Sequence, residues 1–221
     1  PPDEGLMQAL LENWPLWLQG MGATLLLTAV VTLIGLPIGI LLAGMRVSPV
    51  AALRVVAAVW TEVARNTPLT LVFFFTAFVL PKLGIVLDFT LGAIIALTYY
   101  TSAFFAEAVR SGINSVPLGQ AEASRSIGLG FGQTMSLVIL PQAFRSVLPP
   151  VINVVIALVK NTSVALGFFV FVLVSVAQRL SNTYGDQSLQ IFLGIALSYL
   201  IITVPLGQLV DALERKWSVQ R

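Results

Sequence analysis

Cysteine and histidine are both absent from the 221 residues. Their absence excludes disulfides, thiol nucleophiles, imidazole proton relays and histidine-based metal sites, and it leaves the redox compartment open. Charge is scarce as well: Asp, Glu, Lys and Arg make up only 10% of the chain, and a net charge of +2 is too small to suggest a nucleic-acid surface. Lysine occurs only at Lys82, Lys160 and Lys216, none preceded by Gly and followed by Ser or Thr. No Gly-x-x-x-x-Gly-Lys-Ser/Thr loop is therefore present, so ATP cannot be bound in that manner. The sequence opens on Pro1-Pro2-Asp3-Glu4 with neither an initiator Met nor a basic stretch, and no targeting segment is expected in it.

Apolar sequence fills the space that charge leaves. Hydrophobic residues reach 57% and the mean hydropathy is +0.92, more apolar surface than a water-soluble fold can hide. An all-α membrane protein follows, and with roughly 20 residues per crossing the length allows five to six spans. Five apolar runs stand out, at about 20–45, 55–80, 89–110, 147–164 and 189–210, within a single domain covering 1–221. The second contains Glu62, Arg65, Asn66 and Pro68, and its part after Pro68 is too short to cross alone. Between Gln133 and Gln178, Leu140-Pro141 and Leu148-Pro149-Pro150 interrupt the apolar pattern. The expectation there is an interfacial stretch to about Arg145, one crossing, and a re-entrant or surface helix to Ala177, with two separate spans as the alternative. Charge arbitrates. With five spans, Arg46, Arg54, Arg110, Arg125, Arg145, Arg215, Lys216 and Arg221 share one side, while Lys82 and Arg179 share the other with Asp3, Glu4, Glu12, Asp88 and Asp186. That is the positive-inside pattern, with the N-terminus outside and the C-terminus inside.

Ionisable groups at membrane depth are costly, on the order of 2.5–3.5 kcal/mol by insertion scales, and require partners or water. Glu62 and Arg65 are three residues apart and could pair along one helix face, and Glu107 and Arg110 repeat that spacing. Lys160-Asn161-Thr162-Ser163 sets a cation, an amide and two hydroxyls inside an apolar run, donors and acceptors suited to a zwitterionic solute. The competing reading has Lys160 snorkelling and both hydroxyls bonded back to helix carbonyls.

A polar block separates the third and fourth runs. Pro117 can open a helix, with Gly119 and Gln120 in its first turn and Glu122 suited to the positive end of the helix dipole. Ala121, Ala123 and Ser124 present a low surface, and Gly128-Leu129-Gly130 can end the helix through a left-handed residue. The run Gln120-Ala121-Glu122-Ala123-Ser124-Arg125-Ser126-Ile127-Gly128, followed by Val138-Ile139-Leu140-Pro141, resembles the EAA loop of ATP-binding-cassette importer permeases. Further segments carry the resemblance through nearly the whole chain: Gly22-Ala23-Thr24-Leu25, Met45-Arg46-Val47-Ser48, Glu62-Val63-Ala64-Arg65-Asn66-Thr67-Pro68-Leu69, Ala106-Glu107-Ala108-Val109-Arg110-Ser111-Gly112-Ile113 and Lys160-Asn161-Thr162-Ser163. These are similar to the polar amino acid uptake family, and Arg65-Asn66-Thr67-Pro68-Leu69-Thr70 and Tyr100-Thr101-Ser102 with Arg110-Ser111-Gly112-Ile113-Asn114 are similar to its actinobacterial glutamate-uptake permeases in particular.

The resemblance implies a type I ABC importer permease fold: five transmembrane helices plus a cytoplasmic coupling helix in the loop at about 117–132. It implies ATPase coupling through Gln120, Glu122, Ala123, Ser124, Gly128, Leu140 and Pro141, and a solute path near Lys160, Asn161, Thr162, Ser163, Glu62, Arg65 and Thr67. Relatives that carry cationic amino acids usually hold Asp where Asn161 stands, and often an acid where Val154 stands, so an acidic or neutral cargo, glutamate foremost, is implied here. No cofactor is expected on this chain; ATP and Mg would reside on a partner ATPase dimer. The other implied partners are a second permease subunit, identical or paralogous, an extracytoplasmic amino-acid-binding protein and membrane lipid, with no nucleic acid. The implied location is the bacterial cytoplasmic (inner) membrane, and the chain is expected to be a transport subunit, not an enzyme. An ion-coupled secondary transporter is the rival, but its usual inverted repeats have no counterpart between the halves of this sequence.

Overall fold

Pro37, Pro149, Pro150 and Pro205 all lie inside helices rather than at their ends. The computed structural model describes residues 12–218. Asp3, Glu4 and Arg221, which entered the charge argument, lie outside the described residues, as does the Pro1-Pro2 opening. The described residues form helices and no strands: α1 (Trp14–Arg46), α2 (Ala51–Asn66), α3 (Leu69–Lys82), α4 (Phe89–Asn114), α5 (Leu118–Ser126), α6 (Phe131–Phe168), α7 (Leu173–Thr183) and α8 (Ser188–Ser218). Helices α1, α4, α6 and α8 are each long and apolar enough to cross a membrane. The bent pair α2 and α3, broken at Thr67-Pro68, makes a fifth candidate.

Two corrections concern the stretch from Gln133 to Gln178. The prolines do not divide it: α6 is continuous across Pro141, Pro149 and Pro150. The reason is visible before Pro141. Thr134–Ile139 is a π-helical turn, closed by donation from the Leu140 amide to the Met135 carbonyl, and the wider turn accommodates a residue without an N–H. Helix α3 uses the same device, with a π-turn at Phe75–Val79 just before Leu80-Pro81 and the Leu80 amide donating to the Phe75 carbonyl. The second correction is that the helix expected to reach Ala177, re-entrant or on the surface, runs on to Thr183. The helix tightens to a 3-10 form over Thr162–Phe168, Phe169 turns left-handed at φ 63°, and α7 then runs from Leu173 to Thr183 with Leu173, Val176, Ala177 and Leu180 buried.

The chain forms two compact units. The first comprises residues up to Ile34, Thr67–Tyr100 and Val155–Pro205; the second comprises Gly35–Asn66, Thr101–Val154 and the chain from Leu206 onward. In the first unit, Leu27 and Val31 of α1, Val72 and Phe73 of α3, Ala96 and Leu97 of α4, and Leu158 and Phe168 of α6 form one core. Phe73 and Phe168 stack at 4.9 Å between ring centroids. Apolar surface gains nothing by leaving lipid for protein, so close packing and interhelical hydrogen bonds must hold such a core together. Two of these bonds join α1 to its neighbours: Thr24 Oγ1 accepts from the Leu173 amide at 2.9 Å, capping the start of α7, and Trp17 Nε1 donates to Ser198 Oγ at 2.8 Å. In the second unit, Gly112 of α4 lies so close to Val147 of α6 that a Cβ would collide with the valine Cγ2 and press on its backbone. This crossing and a cluster of Ile113, Val116, Ala121, Ile139 and Ala143 set the position of α5.

Candidate functional site

Helix α5 is a nine-residue polar segment held at both ends. Pro117 is its N-cap, with φ −58° and ψ 136°, and contributes no side-chain hydrogen bond. At the other end the chain closes a Schellman turn: the Leu129 amide donates to the Ser124 carbonyl at 3.1 Å and the Gly128 amide to the Arg125 carbonyl at 2.9 Å. Gly128 sits at φ 89°, the left-handed position this turn demands, and a Cβ there would meet nothing within 4 Å. Leu118, Glu122 and Ile127 are exposed, Leu118 by 81% and Ile127 by 77%. Gln120, Ala123 and Arg125 are also exposed.

Of the small residues expected to form a low outer surface, only Ala123 does so. Ala121 packs toward the Val116 cluster, and Ser124 is buried, with its hydroxyl donating to the Ala121 carbonyl at 2.8 Å and lying 3.1 Å from Thr134 Oγ1. Thr134 belongs to the π-turn of α6, and its amide donates to the Gly130 carbonyl at 2.8 Å. Ser124 thus ties the loop helix to the following long helix. Leu140 and Pro141 both stand exposed at the end of that π-turn.

A second constellation, less legible in sequence, centres on Glu107. Its carboxylate accepts from Arg110 Nη2 at 2.7 Å and lies 3.6 Å from Arg65 Nη1 and 3.8 Å from Arg46 Nη2. Arg46 also donates to Thr61 Oγ1 at 2.8 Å, and the Arg65 guanidinium lies 5.9 Å from the centroid of the Phe104 ring. The local Glu62–Arg65 pair is not formed: Arg65 turns to Glu107, while Glu62 accepts from Asn66 Nδ2 at 3.3 Å. One carboxylate among three guanidiniums joins the end of α1, α2 and α4. The i, i+3 spacing disclosed Arg110, but no local signal in the sequence pointed to Arg46.

Lys160 and Asn161 close the α-helical part of α6, and Thr162 and Ser163 begin its 3-10 end. Both hydroxyls bond back along the helix, Thr162 Oγ1 to the Val159 carbonyl and Ser163 Oγ to the Lys160 carbonyl, each at 2.7 Å. Thr162 is fully buried, whereas Lys160 is exposed and forms no ion pair with any described residue. Thr67 stands half-buried at the α2–α3 break. Among the described residues no cluster of acidic side chains could hold a metal ion.

The family model for the binding-protein-dependent transport system inner membrane component matches residues 35–219. The chain is 37% identical over 207 residues to the "Probable glutamine ABC transporter permease protein" of Bacillus subtilis (strain 168), covering 94% of this chain and 95% of that protein. It is 36% identical over 220 residues to a glutamate transport system permease protein of Corynebacterium efficiens, covering 94% and 96%. Among solved structures, an amino acid ABC transporter with histidines superposes with a TM-score of 0.88 at 29% identity, over 94% of this chain and 96% of that one. An inward-facing methionine ABC transporter has the same fold at a TM-score of 0.63 and 21% identity, over 96% and 99%.

Proposed function

Because the chain belongs to the binding-protein-dependent transport system inner membrane component family and is a permease subunit of an amino acid ABC importer, we propose that its cargo is an acidic or neutral polar amino acid, glutamate foremost. The observation that carries this reading is the setting of Lys160. It forms no ion pair among the described residues, Asn161 beside it is an amide, and Val154 on the same helix is apolar. A cation without a counter-charge favours an anionic side chain on the solute and repels a cationic one. Relatives named for glutamate and glutamine fit this reading, while others named for cystine and arginine leave it to the charges themselves. Thr67, Glu62 and Arg65 belong to the same proposed path.

The drive comes from an ATPase dimer acting on α5, and ATP and Mg belong to that partner. Two observations support this. Helix α5 presents Gln120, Glu122 and Ala123 outward, and the Ser124–Thr134 contact gives its displacement a direct route into α6. Two permease subunits, identical or paralogous, form the solute path by alternating access, and an extracytoplasmic binding protein delivers the cargo. In this reading residues 1–221 are one permease domain, its five spans lie on α1, the α2–α3 pair, α4, α6 and α8, and residues 117–132 face the cytoplasm. Charge supports that orientation: with five spans Arg46, Arg54, Arg110, Arg125, Arg145, Arg215 and Lys216 share one side, whereas Lys82 and Arg179 share the other.

Uptake by the assembled complex with its native binding protein tests the cargo. Labelled glutamate uptake should be competed by unlabelled glutamate or glutamine well below the arginine concentration needed. Asn161→Asp should shift that preference toward arginine by roughly tenfold, the effect of one added charge largely screened by water. An unchanged preference would remove Lys160-Asn161 from the path.

A further inference from the structure

A cleft of about 920 Å³ opens within the second unit, between the end of α4, α6 and the last turns of α8. Its chemistry is unlike the apolar helix faces around it. Arg145 and Glu214 both line it, are exposed, and carry opposite charges, yet neither pairs with the other or with any other described residue. Pro149 and Pro150 line it too, and their missing N–H groups deprive the carbonyls of Arg145 and Ser146 of the usual helical donor. The wall therefore offers one cationic donor, Arg145, against several acceptors: the Glu214 carboxylate, two backbone carbonyls and the Ser146 hydroxyl. Trp217 completes the rim with an amphipathic ring.

A simple anion would satisfy Arg145 and leave Glu214 uncompensated; a simple cation would do the reverse. A molecule carrying both signs compensates both. We propose that this cleft binds a small zwitterion, its ammonium on Glu214 and the proline-freed carbonyls and its anionic oxygens on the Arg145 guanidinium. That chemistry comes from two sources, a free α-amino acid or the ethanolamine phosphate headgroup of a lipid. The proposal uses neither Lys160 nor the exposed face of α5, so it stands or falls separately from the cargo.

The test uses the full chain in its assembled complex, in nanodiscs of phosphatidylglycerol alone. One arm is titrated with glutamate and glutamine, the other with dihexanoyl phosphatidylethanolamine, and the signal is the tryptophan emission that Trp217→Phe removes. The expected result is a saturable change in one arm, which identifies the source. Arg145→Ala and Glu214→Gln should each weaken it roughly tenfold or more, as loss of a charged hydrogen-bond partner does, while Arg125→Ala leaves it unchanged. Three results would overturn the assignment: no saturable change in either arm, an affinity unchanged from the native chain in the Arg145→Ala and Glu214→Gln variants, or full reproduction by glutarate, which lacks the ammonium.

Discussion

Glu107 and Gly128 each hold a local arrangement for a different physical reason. Glu107 is the only carboxylate within ion-pair distance of the three guanidiniums of Arg46, Arg65 and Arg110 among the described residues. Its side chain is 19% exposed, so partial solvation reduces the cost of losing it below that of a fully buried pair. Glu107→Gln is expected to destabilise the protein by about 1–3 kcal/mol, more than Arg65→Ala, because it leaves three like charges facing one another; thermal unfolding of the two variants in one detergent checks the order. Gly128 acts through backbone alone. Its φ of 89° penalises any side chain, yet a Cβ would touch nothing, so Gly128→Ala should cost about 1–2 kcal/mol in the loop without disturbing the helices. The expected readout is impaired solute stimulation of ATPase activity with a melting temperature lowered by only a few degrees. Normal stimulation would separate the turn from coupling.

At the level of elements, the repeated π-turn before a Leu-Pro pair shows how a membrane helix keeps its course through a residue that cannot donate. Pro141→Ala restores that donor, and the turn at Thr134–Ile139 should then relax to α geometry. Losing the extra residue rotates the earlier part of α6 by about 100° relative to the rest, the angle per residue of an α-helix. Because the chain has no cysteine, single-cysteine labelling is unambiguous: maleimide reactivity of Leu137→Cys should change in the Pro141→Ala background, while that of Phe144→Cys should not. Equal reactivities in both backgrounds would show that the turn does not depend on the proline. These prolines also explain why the middle of the chain was hard to read. Proline is a helix breaker in water, where nothing else need satisfy the freed carbonyl, but in a membrane protein neighbouring groups, cavities and wider turns do so.

For the molecule as a whole, the proposed orientation rests on the distribution of charge, and it is measurable. A cysteine at Ser126 should react with an impermeant maleimide only in inside-out vesicles, and one at Gly84 only in right-side-out vesicles; the reverse pattern would invert the topology. Composition and patterning were enough to indicate an all-α membrane chain, its main apolar runs and a short helix opened by Pro117 and stopped at Gly128-Leu129-Gly130, which the structure forms over Leu118–Ser126. Each depends on periodicity, capping or hydropathy, which act over a few neighbouring residues. Other features were decided by tertiary structure, because their partners are distant in sequence: Arg46 and Arg65 converging on Glu107, Thr24 capping α7, Ser124 turning inward to Thr134, and Arg145 and Glu214 sharing a cleft without pairing. A local pattern shows that a charge or hydroxyl at membrane depth requires a partner, but only the packing of helices selects which one comes within reach.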